Sequence, residues 1–340
     1  MRKKRYAVLG DIHGNWQALS AVLADAKEQG VDAFVCVGDM VGYNAEPAKC
    51  LDTVRELSVA TVRGNHDHYC SHDECLEDFH PLAANVVDWT RRQLSAEQVA
   101  FLRDLPLSRM VAGFCIVHST LDMPEKWGYV FDTLEAESHF NYQTVSVCFY
   151  GHTHVPVVFE KQIAVTRSGF STVKMAIGRK YFINVGSVGQ PRDGDPRAAY
   201  VVYDIGAREI SLRRVAYDVD AAQARNRAVG LPERLASRLA IGEADGSTWN
   251  SVWSNGGTHG LRDLRCMHQV RGVCVRMPFR GNRGRGYAVH HRSRKVRGLR
   301  PLRGRVSGRG HFGGLTSSPV FETLPGIAGP AGIPGSACSG

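Results

Sequence analysis

The sequence predicts an α/β fold in which buried β-strands alternate with amphipathic α-helices. Two short apolar runs, "RYAVLG" and "DAFVCVGD", contain the residues expected of buried strands, and each is followed by or ends in Gly-Asp. The segment between them, "NWQALSAVLADAKEQG", places apolar residues at positions 16, 19, 22, 23 and 26, which is helical spacing, and Gly30 supplies a stop signal. This alternation indicates βαβ units and a buried sheet that is covered by helices.

The later elements follow the same periodicities. "EPAKCLDTVREL" is predicted to be a helix, and "VATVRGNHD" to be a third strand that ends in a polar turn. Residues 80–105 have a helical pattern, in which Ser95 is an N-cap and Gln98 completes a capping box. Six strand-like runs follow, and "LPERLASRLAIGE" is predicted to be a final short helix. The strand-like runs are "GFCIVHS", "VSVCFYGHTH", "VPVVFE", "KYFINVGSVGQ", "AAYVVYDI" and "EISLRRVAYD".

The composition predicts a cytoplasmic protein. The 340 residues are 43% hydrophobic and 22% charged, which is ordinary for a globular protein. The sequence contains neither a run of about 18 apolar residues nor the features of a secretory signal, so we expect no membrane partner. The nine cysteines form no CxxC pair, which argues against a zinc ribbon and against a thioredoxin-type motif. Cys36 and Cys148 lie in strand-like runs, where a free thiol packs as a small hydrophobe.

The charge is divided unevenly along the chain. Although the net charge is +9, residues 245–340 carry 15 basic and only 3 acidic side chains, and 14 of those 15 are arginine. The segment is rich in Arg and Gly without a helix or strand period, so we predict that it is largely disordered. We therefore predict a folded domain over residues 1–244 and a separate extension over 245–340. The extension is either a nucleic-acid-binding tail or a non-native addition, such as an out-of-frame read of a GC-rich gene, and we favour the second.

The residues that carry chemistry follow the predicted strands. Each of five strand-to-loop transitions ends in His, Asp or Asn, and burying so many polar groups without partners would cost several kcal/mol each. A metal pair would remove that cost. Because residues i and i+2 of a strand point the same way, Asp11 with His13, and His152 with His154, are each expected to aim at one region. The candidates are Asp11, His13, Asp39, Asn65, His66, His118, His152 and His154.

Five motifs, "GDIHGN", "GDMVGYN", "GNHD", "IVHS" and "GHTH", occur in this order, and with them the chain resembles the calcineurin-like metallophosphoesterase superfamily. It is most similar to the small bacterial and archaeal phosphodiesterase-type members, and the resemblance covers roughly residues 5–242. It implies a sandwich of two sheets flanked by helices, with a dinuclear metal site at the strand ends. Asp11, His13 and His154 would hold the first metal, and Asn65, His118 and His152 the second, while Asp39 would bridge both.

The implied ligands are imidazoles and oxygens without thiolate. This set favours two divalent transition-metal ions, with Mn²⁺ first and Fe, Zn²⁺ or Ni²⁺ as alternatives, over Ca²⁺ or Mg²⁺. Two such ions would generate a bridging hydroxide for in-line attack on a phosphoester. His66 is the predicted proton donor to the leaving alkoxide. Asp67 is predicted to orient His66 and to hold it protonated, since a nearby carboxylate raises a histidine pKa.

Asn15 and Arg192 are predicted to contact the substrate phosphate, and for Arg192 a surface ion pair or a turn is an equal alternative. Tyr43 and Asn44 are candidates for the pocket beside Asp39. His68, with His72 and Asp73, is assigned to a solvated loop outside the chemistry. The predicted function is hydrolysis of a small phosphodiester, with nucleotides among the candidate substrates. The alternatives are a phosphomonoesterase, of the Ser/Thr protein phosphatase or dinucleoside polyphosphate hydrolase type, a metal-binding scaffold without turnover, and an RNA-binding protein acting through its tail.

Overall fold

The computed structural model describes residues 4–57, 59–74, 76 and 81–243. The extension predicted over 245–340 lies outside the described residues. Eight α-helices are described: α1 (Trp16–Glu28), α2 (Pro47–Glu56), α3 (Asn65–Ser71), α4 (Pro81–Gln93), α5 (Ala96–Asp104), α6 (Thr133–Tyr142), α7 (Val219–Ala228) and α8 (Glu233–Ile241). The described strands are β1 (Arg5–Leu9), β2 (Ala33–Cys36), β3 (Ala60–Thr61), β4 (Ser108–Val111), β5 (Phe114–Val117), β6 (Val147–Tyr150), β7 (Val157–Lys161), β8 (Val165–Ser168), β9 (Thr172–Lys174), β10 (Lys180–Asn184), β11 (Ala198–Asp204) and β12 (Glu209–Val215).

The strands form two six-stranded sheets. The first has the order β3-β2-β1-β11-β12-β9, and the second has the order β4-β5-β6-β10-β7-β8. In the first sheet β1, β2 and β3 run parallel, and in the second β5, β6 and β10 run parallel. Parallel strands present their carboxyl ends at one edge, so each sheet offers a rim of loops for a site.

The sheets pack face to face, and helices cover their outer faces. Along β1, Tyr6 and Val8 belong to the core between the sheets, together with Phe149 and Ile183 of the second sheet. The alternate residues of the first sheet pack in a different cluster with residues of α1 and α2, and Phe140 of α6 lies in the cluster on the outer face of the second sheet. Successive residues of a strand point to opposite faces, so one set packs between the sheets and the other packs against the helices. The predicted sandwich of two sheets flanked by helices is therefore confirmed.

The prediction that "GNHD" forms a polar turn is wrong, because α3 begins at Asn65. The helix starts directly after Gly64, whose backbone N–H donates to the Asp67 carboxylate at 3.0 Å. Its C-terminal end is held by the helices of residues 81–104. Arg91 donates to the carbonyls of Tyr69 and His72, and Arg103 donates to the carbonyl of Ser71. The helices α4 and α5 thus stabilise the helix that carries Asn65 and His66.

The capping box of α5 is confirmed, since Gln98 N donates to Ser95 Oγ at 3.2 Å and Ser95 N donates to Gln98 Oε1 at 2.9 Å. The strands β4, β8 and β9 and the helices α6 and α7 were not predicted. Both helices carry an aspartate N-cap, Asp132 and Asp218, that could have revealed them. The five described cysteines are free thiols. No described helix combines the length and the apolar character needed to cross a bilayer.

Candidate metal centre

The polar residues predicted from the strand ends lie in the loops and at the helix start that follow the strands. β1 and β2 of the first sheet end at Leu9 and Cys36, and β5 and β6 of the second sheet end at Val117 and Tyr150. The loops of the two sheets meet, because the His152 backbone N–H donates to the Asp11 carboxylate at 3.1 Å. The site is therefore assembled from both sheets.

The i and i+2 pairs converge for a different reason from the one predicted. Asp11, His13, His152 and His154 lie beyond their strands, so the pleat of a strand does not orient them. Their backbones are instead in the left-handed region, with φ between 49° and 69°. Non-glycine residues rarely adopt this region, and strained backbone of this kind, at about 1–3 kcal/mol per residue, clusters at functional sites. Six site residues share it: Asp11, His13, Asp39, Tyr43, His152 and His154.

Two glycines allow the carboxylates to fold back against the chain. A Cβ at Gly64 would meet Asp39 Oδ1 and lie 2.5 Å from the backbone nitrogen of Asp39. A Cβ at Gly151 would meet Asp11 Oδ2 and lie 3.1 Å from Val37 Cγ2. The glycines of the "GNHD" and "GHTH" motifs are thus required by close packing against the two carboxylates.

The first cluster consists of Asp11, His13 and His154, whose ligand atoms lie within 4.8 Å of one another. The Nε2 atoms of the two histidines are 3.1 Å apart. Asp11 Oδ1 lies 3.3 Å from His154 Nε2 and 3.9 Å from His13 Nε2. All three side chains are buried.

The second cluster consists of Asp39, His118 and His152. His118 Nε2 lies 3.2 Å from His152 Nδ1 and 3.4 Å from Asp39 Oδ2. Asn65 adds a fourth donor, with its Oδ1 3.0 Å from His118 Nε2. Asp39 Oδ2 is also 3.6 Å from His13 Nε2, so Asp39 stands between the two clusters.

The ring nitrogens that face away from the clusters are held by backbone carbonyls. These contacts are His13 Nδ1 to Val41 at 3.0 Å, His118 Nδ1 to Val37 at 2.9 Å, His154 Nδ1 to Gln190 at 2.6 Å, and His152 Nε2 to Trp127 at 3.0 Å. A carbonyl only accepts, so each of these nitrogens carries the proton. In a neutral ring the other nitrogen then presents a lone pair to the cluster.

This arrangement fits a metal ion. Burial lowers the pKa of His13 and of His154, so both rings are neutral at pH 7 and direct lone pairs at each other across 3.1 Å. Ligands about 2.0–2.2 Å from a metal are roughly 3.0–3.5 Å apart in octahedral or tetrahedral geometry. The His13–His154 and Asp11–His154 distances of 3.1 and 3.3 Å fall in this range, and the Asp11–His13 distance of 3.9 Å exceeds it. At His118, burial lowers the pKa but the Asp39 carboxylate outweighs it and raises the pKa to about 9. The second cluster therefore attracts positive charge.

His66 lies beside the clusters and forms a third group of candidate ligand atoms with His13 and Asp39, all within 4.8 Å of one another. Its side chain is 6% exposed, and its ring lies 4.3 Å from that of Tyr43 and 4.8 Å from that of His13. Its backbone N–H donates to Asp39 Oδ1 at 2.8 Å. Gly42 makes room for the ring, since a Cβ there would lie 2.5 Å from His66 Nδ1, and this nitrogen has no hydrogen-bond partner among the described residues.

The predicted role of Asp67 is wrong in the structure. Its carboxylate accepts hydrogen bonds from the backbone N–H groups of Asp39 at 2.7 Å, Met40 at 2.9 Å and Gly64 at 3.0 Å, and the described residues show no hydrogen bond from it to the His66 ring. Asp67 instead joins the loop after β2 to the start of α3. Burial lowers the pKa of His66 to about 4, so the ring is neutral at pH 7 and not held protonated.

Asn15 is likewise used for structure. Its Oδ1 accepts from Ala18 N at 3.1 Å and caps α1, and its Nδ2 donates to the Gly189 carbonyl at 2.9 Å. The hydroxyl of Tyr217 lies 3.4 Å from the same nitrogen. Because both ends of the amide are occupied, the structure argues against the predicted contact between Asn15 and the substrate.

Arg192 is buried, with 6% of its surface exposed, and its guanidinium lies 5.6 Å from the Tyr43 ring. The predicted alternative of a surface ion pair is therefore wrong. Tyr43 contacts His13 and His66, as expected for a pocket residue, whereas Asn44 donates to the His13 carbonyl at 2.9 Å.

His68 lies on α3 rather than in the predicted loop, and its ring stacks on that of His72. Its Nε2 contacts Glu74 at 2.8 Å, and its ring lies 5.6 Å from that of Trp127.

The segment that follows β5 contains a residue that the sequence interpretation missed. The Tyr129 ring lies 4.2 Å from that of His152, and it stacks on Phe131. The same segment supplies the Trp127 carbonyl that orients His152. No local motif marks Tyr129, because its contact with the site depends on the path of the whole segment.

A two-sheet sandwich with Asp and His side chains clustered at the strand ends defines a metal-dependent phosphoesterase. The chain belongs to the calcineurin-like phosphoesterase superfamily, whose domain matches residues 5–208. It is therefore a phosphoester hydrolase, and the family assignment made from its motifs is confirmed.

Individual relatives agree with this assignment. An uncharacterized protein of Methanocaldococcus jannaschii is 37% identical over 247 residues, which cover 71% of this chain and 100% of the relative. The crystal structure of a metallophosphoesterase from Sphaerobacter thermophilus is 37% identical, with a TM-score of 0.64 over 71% of this chain and 100% of that one. A hypothetical protein from Pyrococcus horikoshii OT3 shares the fold at 20% identity and a TM-score of 0.59, over 71% of this chain and 99% of that one.

Proposed function

We propose that this chain is a dinuclear phosphodiesterase. One observation carries the proposal: two clusters of buried imidazole, carboxylate and amide ligand atoms adjoin Asp39, and in the first cluster the Nε2 lone pairs of the neutral His13 and His154 rings face one another. Asp11, His13 and His154 would hold one ion, and Asn65, His118 and His152 the other, with Asp39 shared. These residues are the same ligands that the resemblance in the sequence motifs implied.

A pair of divalent transition-metal ions, with Mn²⁺ as the first candidate, supplies activation of water and neutralisation of phosphoryl charge when bound. The chain's own residues prepare the site for them. The backbone carbonyls of Val37, Val41, Trp127 and Gln190 fix the imidazole tautomers. Asp67 ties the Asp39 backbone to the start of α3, and thereby holds the shared carboxylate beside Asn65.

His66 is the proposed proton donor to the leaving alkoxide. Its ring is buried beside the clusters, and Nδ1 has no hydrogen-bond partner in the described part of the chain, so the imidazole is available for proton transfer. Since its pKa is about 4 in the free protein, the ring takes up a proton when an anionic substrate binds next to it and raises that pKa. General acid catalysis of this kind contributes about 10²–10⁴-fold in rate.

Turnover of bis-p-nitrophenyl phosphate and of p-nitrophenyl phosphate by the Mn²⁺-supplied chain tests the proposal. We expect faster hydrolysis of the diester. We expect His66→Asn to lower kcat about 100-fold at unchanged metal content, while His68→Asn, on the same helix, retains activity. Loss of both metals in His66→Asn would contradict its role as proton donor.

A phosphomonoesterase is the second candidate, because 94 residues are 32% identical to serine/threonine-protein phosphatase 1 of Salmonella typhimurium. The match covers 27% of this chain and 43% of that protein. Preference for the monoester in the same assay would favour this candidate, and failure to hydrolyse either ester with Mn²⁺ supplied would favour a scaffold.

We also propose that the catalytic domain ends near residue 244. The archaeal relative supports this boundary, since its whole length matches only 71% of this chain. Truncation after residue 245 is expected to retain activity. A separate RNA-binding measurement on the full and truncated chains tests whether the Arg-rich extension binds nucleic acid.

A further inference from the structure

Arg192 is a buried cation whose neighbouring carboxylates are engaged elsewhere. The loop "GQPRDGDPR" contains two acids. Asp195 pairs with Arg197 at 2.7 Å, and Asp193 pairs with Arg214. Within the described part of the chain no carboxylate lies within ion-pair distance of Arg192, and its Nε has no hydrogen-bond partner. A buried charge without a counterion is strongly unfavourable.

Gln190 stands next to Arg192 with an unused donor. It is 1% exposed, and its Oε1 accepts from Arg192 Nη2 at 3.2 Å. Its Nε2 has no partner among the described residues. The two side chains therefore present N–H groups without a matching acceptor, which is the pattern expected of an anion site.

This donor pair adjoins the proposed metal centre. The Gln190 carbonyl is the acceptor that holds His154 Nδ1 at 2.6 Å. The Arg192 guanidinium lies 5.6 Å from the Tyr43 ring, and that ring contacts both His13 and His66.

We propose that Gln190 and Arg192 form an oxyanion subsite that binds phosphoryl oxygens of the substrate beside the first cluster. The identity of the bound group as substrate rests on the proposed function. The anion site itself is inferred from the N–H groups of Gln190 and Arg192 that have no acceptor among the described residues. Gln190 orients the guanidinium through Oε1 and contributes Nε2 as a second donor. The site accepts phosphate-class anions, because its free groups are donors and its charge is positive.

Equilibrium binding of inorganic phosphate to the Mn²⁺-supplied full chain tests the subsite without turnover. Arg192→Met is expected to weaken phosphate binding about 10- to 100-fold at unchanged metal content, which is the usual effect of losing charge-assisted hydrogen bonds. Gln190→Glu is nearly isosteric, but its carboxylate would pair with Arg192 and should weaken binding similarly. Arg197→Met removes an exposed arginine of the same loop and should leave binding unchanged.

Stability provides a second readout that separates a binding role from a structural one. Because the unpaired charge is unfavourable, Arg192→Met is expected to unfold at the same or a higher denaturant concentration in phosphate-free buffer, and to lose the stabilisation that phosphate confers on the wild type. Clear destabilisation without phosphate would indicate a structural role and overturn the proposal.

The source of the anion is distinguished by inhibition of diester hydrolysis. Competitive inhibition by phosphate, weakened in Arg192→Met, would support a subsite for the substrate's phosphoryl group, whereas noncompetitive inhibition would overturn it in favour of a separate site for free phosphate. Wild-type phosphate affinity in both Arg192→Met and Gln190→Glu would also overturn it. If the wild type shows Arg192-dependent phosphate binding but hydrolyses neither ester, the anion site stands and the proposed function fails.

Discussion

Substitution of Gly64 by alanine tests whether Asp39 is shared by the two clusters. Gly64 has φ of −92°, so alanine is compatible with its backbone and only the added Cβ acts. That atom would meet Asp39 Oδ1 and lie 2.5 Å from the Asp39 backbone nitrogen, whereas carbon contacts are optimal at about 3.5–4.0 Å. Asp39 must therefore move by about 1 Å.

A movement of that size affects both clusters. Asp39 Oδ2 lies 3.6 Å from His13 Nε2 and 3.4 Å from His118 Nε2, and Oδ1 accepts the His66 N–H at 2.8 Å. A displacement of about 1 Å is half of a metal–oxygen bond of roughly 2.0–2.2 Å, so the proposed shared ligand would be lost to both ions. Overpacking of the buried loop is expected to lower the free energy of unfolding by about 1–3 kcal/mol.

The assay is metal content per chain after Mn²⁺ loading and desalting, with urea unfolding in chelator as a measure of stability without metal. We expect about two ions per wild-type chain and fewer than one in Gly64→Ala. Gly169→Ala is the matched control, since nothing lies within 4 Å of a Cβ at that position. Wild-type metal content in Gly64→Ala would refute the reasoning that places Asp39 against Gly64 as the shared ligand.

Three further substitutions test the structural roles. Asp25 accepts from Tyr200 at 2.6 Å and from Arg213 at 2.7 Å, so Asp25→Asn should cost about 1–2 kcal/mol in urea unfolding at pH 7. The hydrogen bond from Arg213 lowers the pKa of Asp25 in the folded protein. The stabilisation by the Asp25 carboxylate is therefore present above the unfolded pKa of about 3.9 and is lost as the pH falls through the lower folded pKa. An equal loss of stability in Asp25→Asn at pH 2 would contradict this assignment. Burial and the Asp39 charge raise the pKa of Asp67 to about 7, so its charge itself is unfavourable, but Asp67→Ala removes the acceptor of three backbone N–H groups and should lower the unfolding free energy by about 2–3 kcal/mol, with wild-type stability as the contrary result. Asn15→Ala should lower stability by about 1 kcal/mol through loss of the α1 cap while KM stays unchanged, and a raised KM at full metal content would restore Asn15 as a substrate contact.

Much of the fold followed from local periodicity. The strands β1 and β2 were predictable from short continuous apolar runs, and the helix α1 was predictable because its apolar residues repeat at helical spacing. The strand β8, with sequence "VTRS", has no such signal, because its residues are half-exposed or exposed and it pairs only with β7 at the edge of the sheet. The start of α3 was not predictable for another reason. Asp67 in its first turn accepts hydrogen bonds from the backbone N–H groups of Asp39 and Met40, which are distant in the sequence.

The sequence by itself determined the family and the candidate ligands, because residues such as Asp11, Asp39 and His118 directly follow apolar strands in motifs that are read locally. Only the tertiary structure decided how the other polar groups are used. Asp67 accepts hydrogen bonds from backbone amides, Asn15 caps a helix, and Arg192 has no carboxylate partner among the described residues, where Asp193 and Asp195 pair with other arginines. The partner of each polar group is decided by competition between hydrogen-bond and ion-pair partners that only the folded chain brings together. The spacing of residues in the sequence does not show which partner is selected.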